Sequence, residues 1–281
     1  MKRVLAAASD NPMAVYATAL LVAKRFEGRV VGLGARSVET VVIPWGEMGG
    51  SVPVEADRLL ERESEERRRQ ARQAFESFMT AERVPTGSLP DGHKGPSAEW
   101  REEDGPQNTV VGSLGRVFDL IVVERPTRLT SLAEVTLEDA LFESGRPVLM
   151  APDKPGGTIG ETVLVAWNGS TESARSVALA NPFLKRAKRV EVVSIDGGMT
   201  PGPSSEELAR GIAAQGIPAI ARHVTAKGRT PGEAFLDEAK AIGADLMIKG
   251  AYTQSRLRQM IFGGATRHII NAAEIPVLFA H

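Results

Sequence analysis

The sequence predicts an α/β protein built as two tandem doubly wound domains, each a five-stranded parallel sheet with helices on both faces. Three observations carry this expectation. Short apolar runs of strand length alternate with helix-length amphipathic segments, the pattern of a parallel sheet crossed over by helices. A Pro/Gly-containing stretch at residues 153–157 (DKPGG) interrupts the pattern midway. After it the pattern restarts: residues 163–168 (VLVAWN) echo 4–9 (VLAAAS), 245–248 (DLMI) echo 119–122 (DLIV), and 275–280 (IPVLFA) echo 146–151 (RPVLMA). Three echoes in one order indicate an internal duplication. The domains are expected at 1–152 and 161–281, with 153–160 as linker.

In the first half, residues 4–8 read as a strand, Asp10 and Asn11 as cap candidates and Pro12 as the first helical residue. A helix from Met13 to Phe26 follows, closed by Gly28, and 29–34 (RVVGLG) form the second strand. Gly32 and Gly34 imitate a dinucleotide fingerprint, but the third glycine is missing and the chain continues into 40–43 (TVVI), so they read as a strand end. Residues 39–54, with Trp45, Met48, Gly49 and Gly50, read as a packed loop, with a cover over a site or a domain contact as alternatives. Glu55 to Arg83 is a long charged helix whose Ala71, Ala74, Phe75, Phe78 and Met79 form one stripe, with Glu63–Arg67 and Glu65–Arg69 as i, i+4 pairs. This loop and helix, 39–83, account for most of an insertion of about thirty residues relative to the second half. A turn-rich stretch, 85–96, leads to a strand near Trp100. A helix from Gln107 to Val117, a strand at 118–123, a helix from Glu134 to Glu143 and a strand at 147–150 complete the half.

In the second half, Ser170 caps a helix from Thr171 toward Lys185, kinked at Pro182. Arg189 to Ile195 is a strand, Ser204 to Gln215 a helix, Ala219 to Val224 a strand, and Pro231 to Ala241 a helix. The apolar run 245–248, a helix from Gly264 to Ala273 and a strand at 276–280 end the pattern.

The composition excludes several function classes. A net charge of −1 gives no general pull toward nucleic acid or anionic membrane. The absence of cysteine removes disulfides, thiolate metal sites and cysteine nucleophiles. The run after Lys2 and Arg3 is shorter than a signal-peptide core and no stretch approaches a membrane span, so a cytoplasmic location is expected.

The chemistry concentrates at 245–266, where an apolar strand meets Gly250, a loop bearing Arg256 and Arg258, Gly263, Gly264 and a helix start. Strand, glycine turn and helix start are how α/β folds aim backbone N–H groups at a phosphate. The run resembles the universal stress protein signature, Gly-x2-Gly-x9-Gly-(Ser/Thr). Gly250 and Gly263 match its first and third glycines; Thr253 stands at the second and Gly264 at the hydroxyl position, with Thr266 offering a hydroxyl two residues on. The resemblance implies a strand order of 3-2-1-4-5 in each domain and a loop that wraps the ribose and phosphates of ATP, or AMP. It implies an adenine reader at Asn168, where the family carries an aspartate, and a nucleotide site of Ala166, Asn168, Gly250, Thr253, Gly263, Gly264, Ala265 and Thr266. Lys249, Arg256, Arg258 and Arg267 supply positive charge there, with Lys227 and Arg229 approaching the same edge.

The first half has Glu124, Arg125, Pro126 and Thr127 after its fourth strand, no glycine, and carboxylates Glu134, Glu138 and Asp139 early in the next helix. These would repel a phosphate. That half reads as a degenerate site, and the resemblance implies that it pairs with the second as an intramolecular version of the family's dimer.

No catalytic set assembles. His93, His223, His268 and His281 lack metal-ligand spacing and read as surface or packing groups, residues 112–115 (GSLG) fall within a helix rather than on a nucleophile elbow, and no P-loop motif is present. The expected function is a stress-response regulatory module that binds an adenine nucleotide, not an efficient enzyme, with no nucleic-acid or membrane partner. A non-binding scaffold of the same fold is the alternative, and a slow nucleotide hydrolase a third.

Overall fold

In the computed structural model the structure describes residues 1–8, 11–36, 54–87, 93–126, 131–251 and 264–281, with the backbone alone for 36, 54–61, 63 and 64. The packed-loop reading of 39–53 and the sites expected at Thr253, Arg256, Arg258 and Gly263 lie outside the described residues.

The first half runs β1 (Arg3–Ala7), α1 (Pro12–Phe26), β2 (Arg29–Arg36), α2 (Val54–Ala81), β3 (Ser97–Asp104), α3 (Gln107–Leu114), β4 (Leu120–Glu124), α4 (Leu132–Glu143) and β5 (Val148–Ala151). The second runs β6 (Thr162–Ala166), α5 (Thr171–Leu179), α6 (Asn181–Leu184), β7 (Arg189–Ile195), α7 (Ser205–Ala213), β8 (Ala219–Val224), α8 (Pro231–Ala241), β9 (Leu246–Gly250), α9 (Gly264–Ala272) and β10 (Val277–Ala280). The ten strands form one sheet ordered β3-β2-β1-β4-β5-β10-β9-β6-β7-β8. Each half therefore carries the 3-2-1-4-5 order, parallel throughout. The halves meet at a single antiparallel pairing, β5 with β10, in which Leu149 faces Leu278, Val148 faces Phe279 and Met150 faces Val277. By the repeat offset, Leu149 and Leu278 are equivalent positions. The seam thus has the self-complementary register of a two-fold interface.

Two apolar layers flank the sheet, and both draw residues from each half. At the back of the seam Phe26 and Phe183 stack edge to face at 5.0 Å, and Arg25 donates to the carbonyls of Gly160 and Arg186 at 2.8 and 2.5 Å. Arg125 bridges the halves on the other side, to Asp153 and to the Asn271 carbonyl.

Local detail departs from expectation at several points. Glu27, not Gly28, takes the left-handed turn after α1 (φ 49°); a Cβ on Gly28 would press on the chain start, 3.0 Å from the Met1 carbonyl oxygen. Asn11 makes no side-chain cap, and its backbone N–H goes instead to Glu124. Gly32 and Gly34 lie inside β2 rather than at its end, and a Cβ on either would stand 2.7 Å from the rings of Phe75 or Trp100. They are glycines so that α2 can approach the sheet. The helix after Ser170 breaks at Ala180 into two helices, because Pro182 lacks the N–H that a continuous helix needs there. On α2, Arg69 pairs with Glu66 at 2.5 Å, not with Glu65; the Glu63 side chain lies outside the described residues.

Candidate functional site

In the second half β7 and β8 extend the sheet from one side of β6, and β9 and β10 from the other. The crevice beyond the carboxyl ends of β6 and β9 is the topological switch point, where open α/β sheets take ligands. Ala166, the buried last residue of β6, is in register with Lys249. Asn168 follows β6, Gly250 ends β9, and Gly264, Ala265 and Thr266 open α9. The described members of the predicted site thus cluster at one sheet edge around one helix start.

Each has a local cause. The Asn168 side-chain oxygen accepts from the Ser170 N–H at 3.2 Å, an Asx turn leading into α5. Its backbone carbonyl is clasped by the N–H and hydroxyl of Thr200 at 2.8 and 3.0 Å, and Trp167 Nε1 donates to the Pro203 carbonyl at 2.8 Å. The loop after β7 is thereby tied down over the β6 turn. Gly250 is a glycine for a packing reason: a Cβ there would lie 2.5 Å from the Ser173 nitrogen in the first turn of α5. Gly264 is exposed with open space where a Cβ would go, whereas Thr266 is 5% exposed. The first turn of α9 contains no acidic residue, so its N-terminal partial charge is not neutralised from within.

The positive charge is arranged differently from the sequence reading. Lys249 is 8% exposed, and its Nζ donates to the Gly250 carbonyl at 3.0 Å. Burial lowers its pKa to about 8. Arg229 does not reach the edge as a free cation: it pairs with Asp237 at 2.5 Å. Thr230 and Glu233 close a capping box on α8, and the Thr230 backbone N–H holds the Glu233 carboxyl below its ordinary range. His268 sits against α8, close to where a Cβ on Gly232 would fall.

In the first half the corresponding strand end carries a carboxylate. Glu124 occupies the position equivalent to Gly250, is 4% exposed, and accepts from the Asn11 N–H at 2.8 Å at the start of α1. A carboxylate therefore lies at the N-terminus of α1, the helix that corresponds to α5 in the second half. A cavity of about 30 Å³ beside this carboxylate is lined by Asn11, Glu124, Arg125 and Asp153 among others. Ser131 caps α4, whose first turn carries Glu134. Glu124 was readable as a charge but not as an acceptor at the start of α1, since its partner is 113 residues away in the chain.

The remaining histidines have other occupations. His223 lies between Ser194 Oγ, 3.0 Å from Nδ1, and Asp196, 2.7 Å from Nε2, but Ser194 is buried and hydrogen-bonded to Ser205. His281 packs edge-on against Phe142 at 4.6 Å. Among the described residues no His/Asp/Glu group has the arrangement of a metal site, and no helix is long and apolar enough to cross a membrane.

Comparison with known proteins agrees with the geometry. Residues 161–281 match the model of the universal stress protein family. A 48-residue stretch is 35% identical to stress response protein NhaX of Bacillus subtilis, spanning 17% of this chain and 29% of that protein. Over 99% of its length the chain superposes on a universal stress protein of Archaeoglobus fulgidus, covering 95% of that structure with a TM-score of 0.68 at 17% identity. It also superposes over its full length on a protein of unknown function from Pseudomonas aeruginosa, covering 92% of it with a TM-score of 0.51 at 14% identity.

Proposed function

We propose that this chain, whose residues 161–281 match the model of the universal stress protein family, is a cytoplasmic stress-response module whose second half binds one adenine nucleotide, ATP or AMP, at the switch point between β6 and β9. The observation that carries the reading is the meeting there of Asn168, the β9 terminus and an α9 start free of acidic residues. The Asn168 amide presents donors to the base, and the α9 N-terminus faces the phosphates. Thr253, Gly263, Gly264, Ala265 and Thr266 are assigned to the phosphate and ribose side, and Ala166 and Gly250 to the floor. Residues 1–152 act as a non-binding partner domain joined through 153–160, and the β5–β10 seam serves as an internal dimer interface. The ligand works by linkage, stabilising the state it binds and shifting the population of a surface that partners read.

Thermal-shift titration with ATP, ADP and AMP, with and without magnesium, tests this on the wild type and on Gly264→Asp. That substitution meets open space, so it adds charge at the α9 start without a clash. The expected result is a saturable stabilisation, about 2.7 kcal/mol at a hundredfold excess over Kd, that the variant loses. A second reading, a scaffold that binds no nucleotide, draws on the Thr200 clasp over Asn168 and the packing role of Gly250. It predicts no shift for either protein at millimolar nucleotide.

A further inference from the structure

The turn that follows β6 contains the chain's only Asn-Gly pair, Asn168–Gly169. We propose that it is a site of covalent modification, spontaneous deamidation of Asn168, whose rate is governed by the loop that covers it. The backbone nitrogen of Gly169 loses its proton to solvent base and attacks Cγ of Asn168, the side-chain nitrogen leaves as ammonia, and a five-membered cyclic imide forms. Water then opens one of the two imide carbonyls, leaving either an aspartyl residue or an isoaspartyl residue at position 168.

Three features favour this step here. Gly169 has no Cβ to obstruct the approach of its nitrogen, and its φ of 81° keeps the position glycine. The Ser170 N–H, 3.2 Å from Asn168 Oδ1, donates to the oxygen on which negative charge develops as Cγ becomes tetrahedral. The residue is only half-buried, so water reaches the imide.

The clasp opposes it. Thr200 holds the Asn168 carbonyl through two hydrogen bonds. Gly202 lies so close that a Cβ on it would come 2.5 Å from the Gly169 carbonyl oxygen. Ring closure moves both peptide groups, so it proceeds from conformations in which the segment around Thr200 has let go. The consequence is a slow change at the mouth of the second half from a neutral amide to a carboxylate two residues before the α5 cap. In the isoaspartyl product the chain runs through the former side chain and the Thr200 contacts are lost. Under the function proposed above, this would alter the group facing the base, but the chemistry does not depend on that function.

The test incubates the full chain in mildly alkaline buffer and follows the peptide containing position 168 by mass spectrometry, with enzymatic isoaspartate methylation to distinguish the products. Asn11 and Asn181 precede proline, which has no N–H, and serve as internal references; Asn108 and Asn271 precede Thr109 and Ala272. The expected result is conversion of Asn168 ahead of all four, to both products. Thr200→Ala should accelerate it about fivefold, the population change that losing one hydrogen bond brings. Conversion of Asn168 no faster than Asn108 and Asn271 would overturn the site. Fast conversion that Thr200→Ala leaves unchanged would overturn its control by the loop. Neither readout uses a nucleotide, so failure here is separable from failure of nucleotide binding.

Discussion

At the scale of residues, Lys249 is the most consequential departure from what the sequence offered. It reads there as one more cation beside a glycine turn; in the fold it is buried between Met247 and Ala251 on one face of a central strand. Period-two alternation could have placed it, because both flanking positions on that face are apolar. Its pKa falls from 10.5 to about 8, which sets the sign of a pH effect. Below pH 8 both states are charged and the full cost of burial is felt. Between 8 and 10.5 the unfolded chain holds the proton that the folded one has released, so stability rises with pH; above that window the effect is complete. Denaturant melts should show this rise in the wild type relative to Lys249→Met, and at neutral pH the variant should be more stable by about 1–3 kcal/mol. A wild type that instead loses stability relative to the variant across the window would contradict the assignment. Gly250→Ala should lose about 1–3 kcal/mol by pressing a Cβ onto the α5 backbone; a neutral result would mean α5 can retreat.

At the scale of elements, the strands and helices were legible because their periods of two and 3.6 are written in the apolar residues. Strands β7 and β8 and helix α8 have the ends the pattern predicts. What the pattern could not show is what each element packs against. The glycines of β2 imitate a ligand motif, yet their role depends on distant side chains: the Phe75 ring fills the space that Gly32's missing Cβ leaves, and the Trp100 ring the space at Gly34. Phe75→Ala should therefore cost about 3–5 kcal/mol, measured by chemical denaturation, because Tyr16 and Trp100 both contact that ring, with centroids at 5.1 and 5.4 Å. The cap on α8 was only half legible: Pro231 marked its start, but the reciprocal bonds of Thr230 and Glu233 emerge from the structure. Thr230→Ala should cost about 1 kcal/mol, with the loss seen in the same melts.

At the scale of the whole molecule, the duplication was plain in the sequence and the resemblance implied that its two products pair, but the register of that pairing was not legible. A seam centred on Leu149 and Leu278 needs the three-dimensional register, since the two lie 129 positions apart and nothing local marks them as partners. Both apolar layers cross that seam, so the halves should unfold together. Leu278→Ala should cost about 2–5 kcal/mol while leaving a single transition by near- and far-ultraviolet circular dichroism; two separated transitions would mean that the halves are energetically independent. The asymmetry between the halves, Glu124 standing at one strand end and Gly250 at the other, makes the proposed function a claim about number. Isothermal titration calorimetry with ATP on the intact chain tests it most directly. The expected result is one site per chain, abolished by Gly264→Asp and untouched by Glu124→Gln; a protein that gives no binding heat at any temperature, or that binds two nucleotides, would overturn the proposed function.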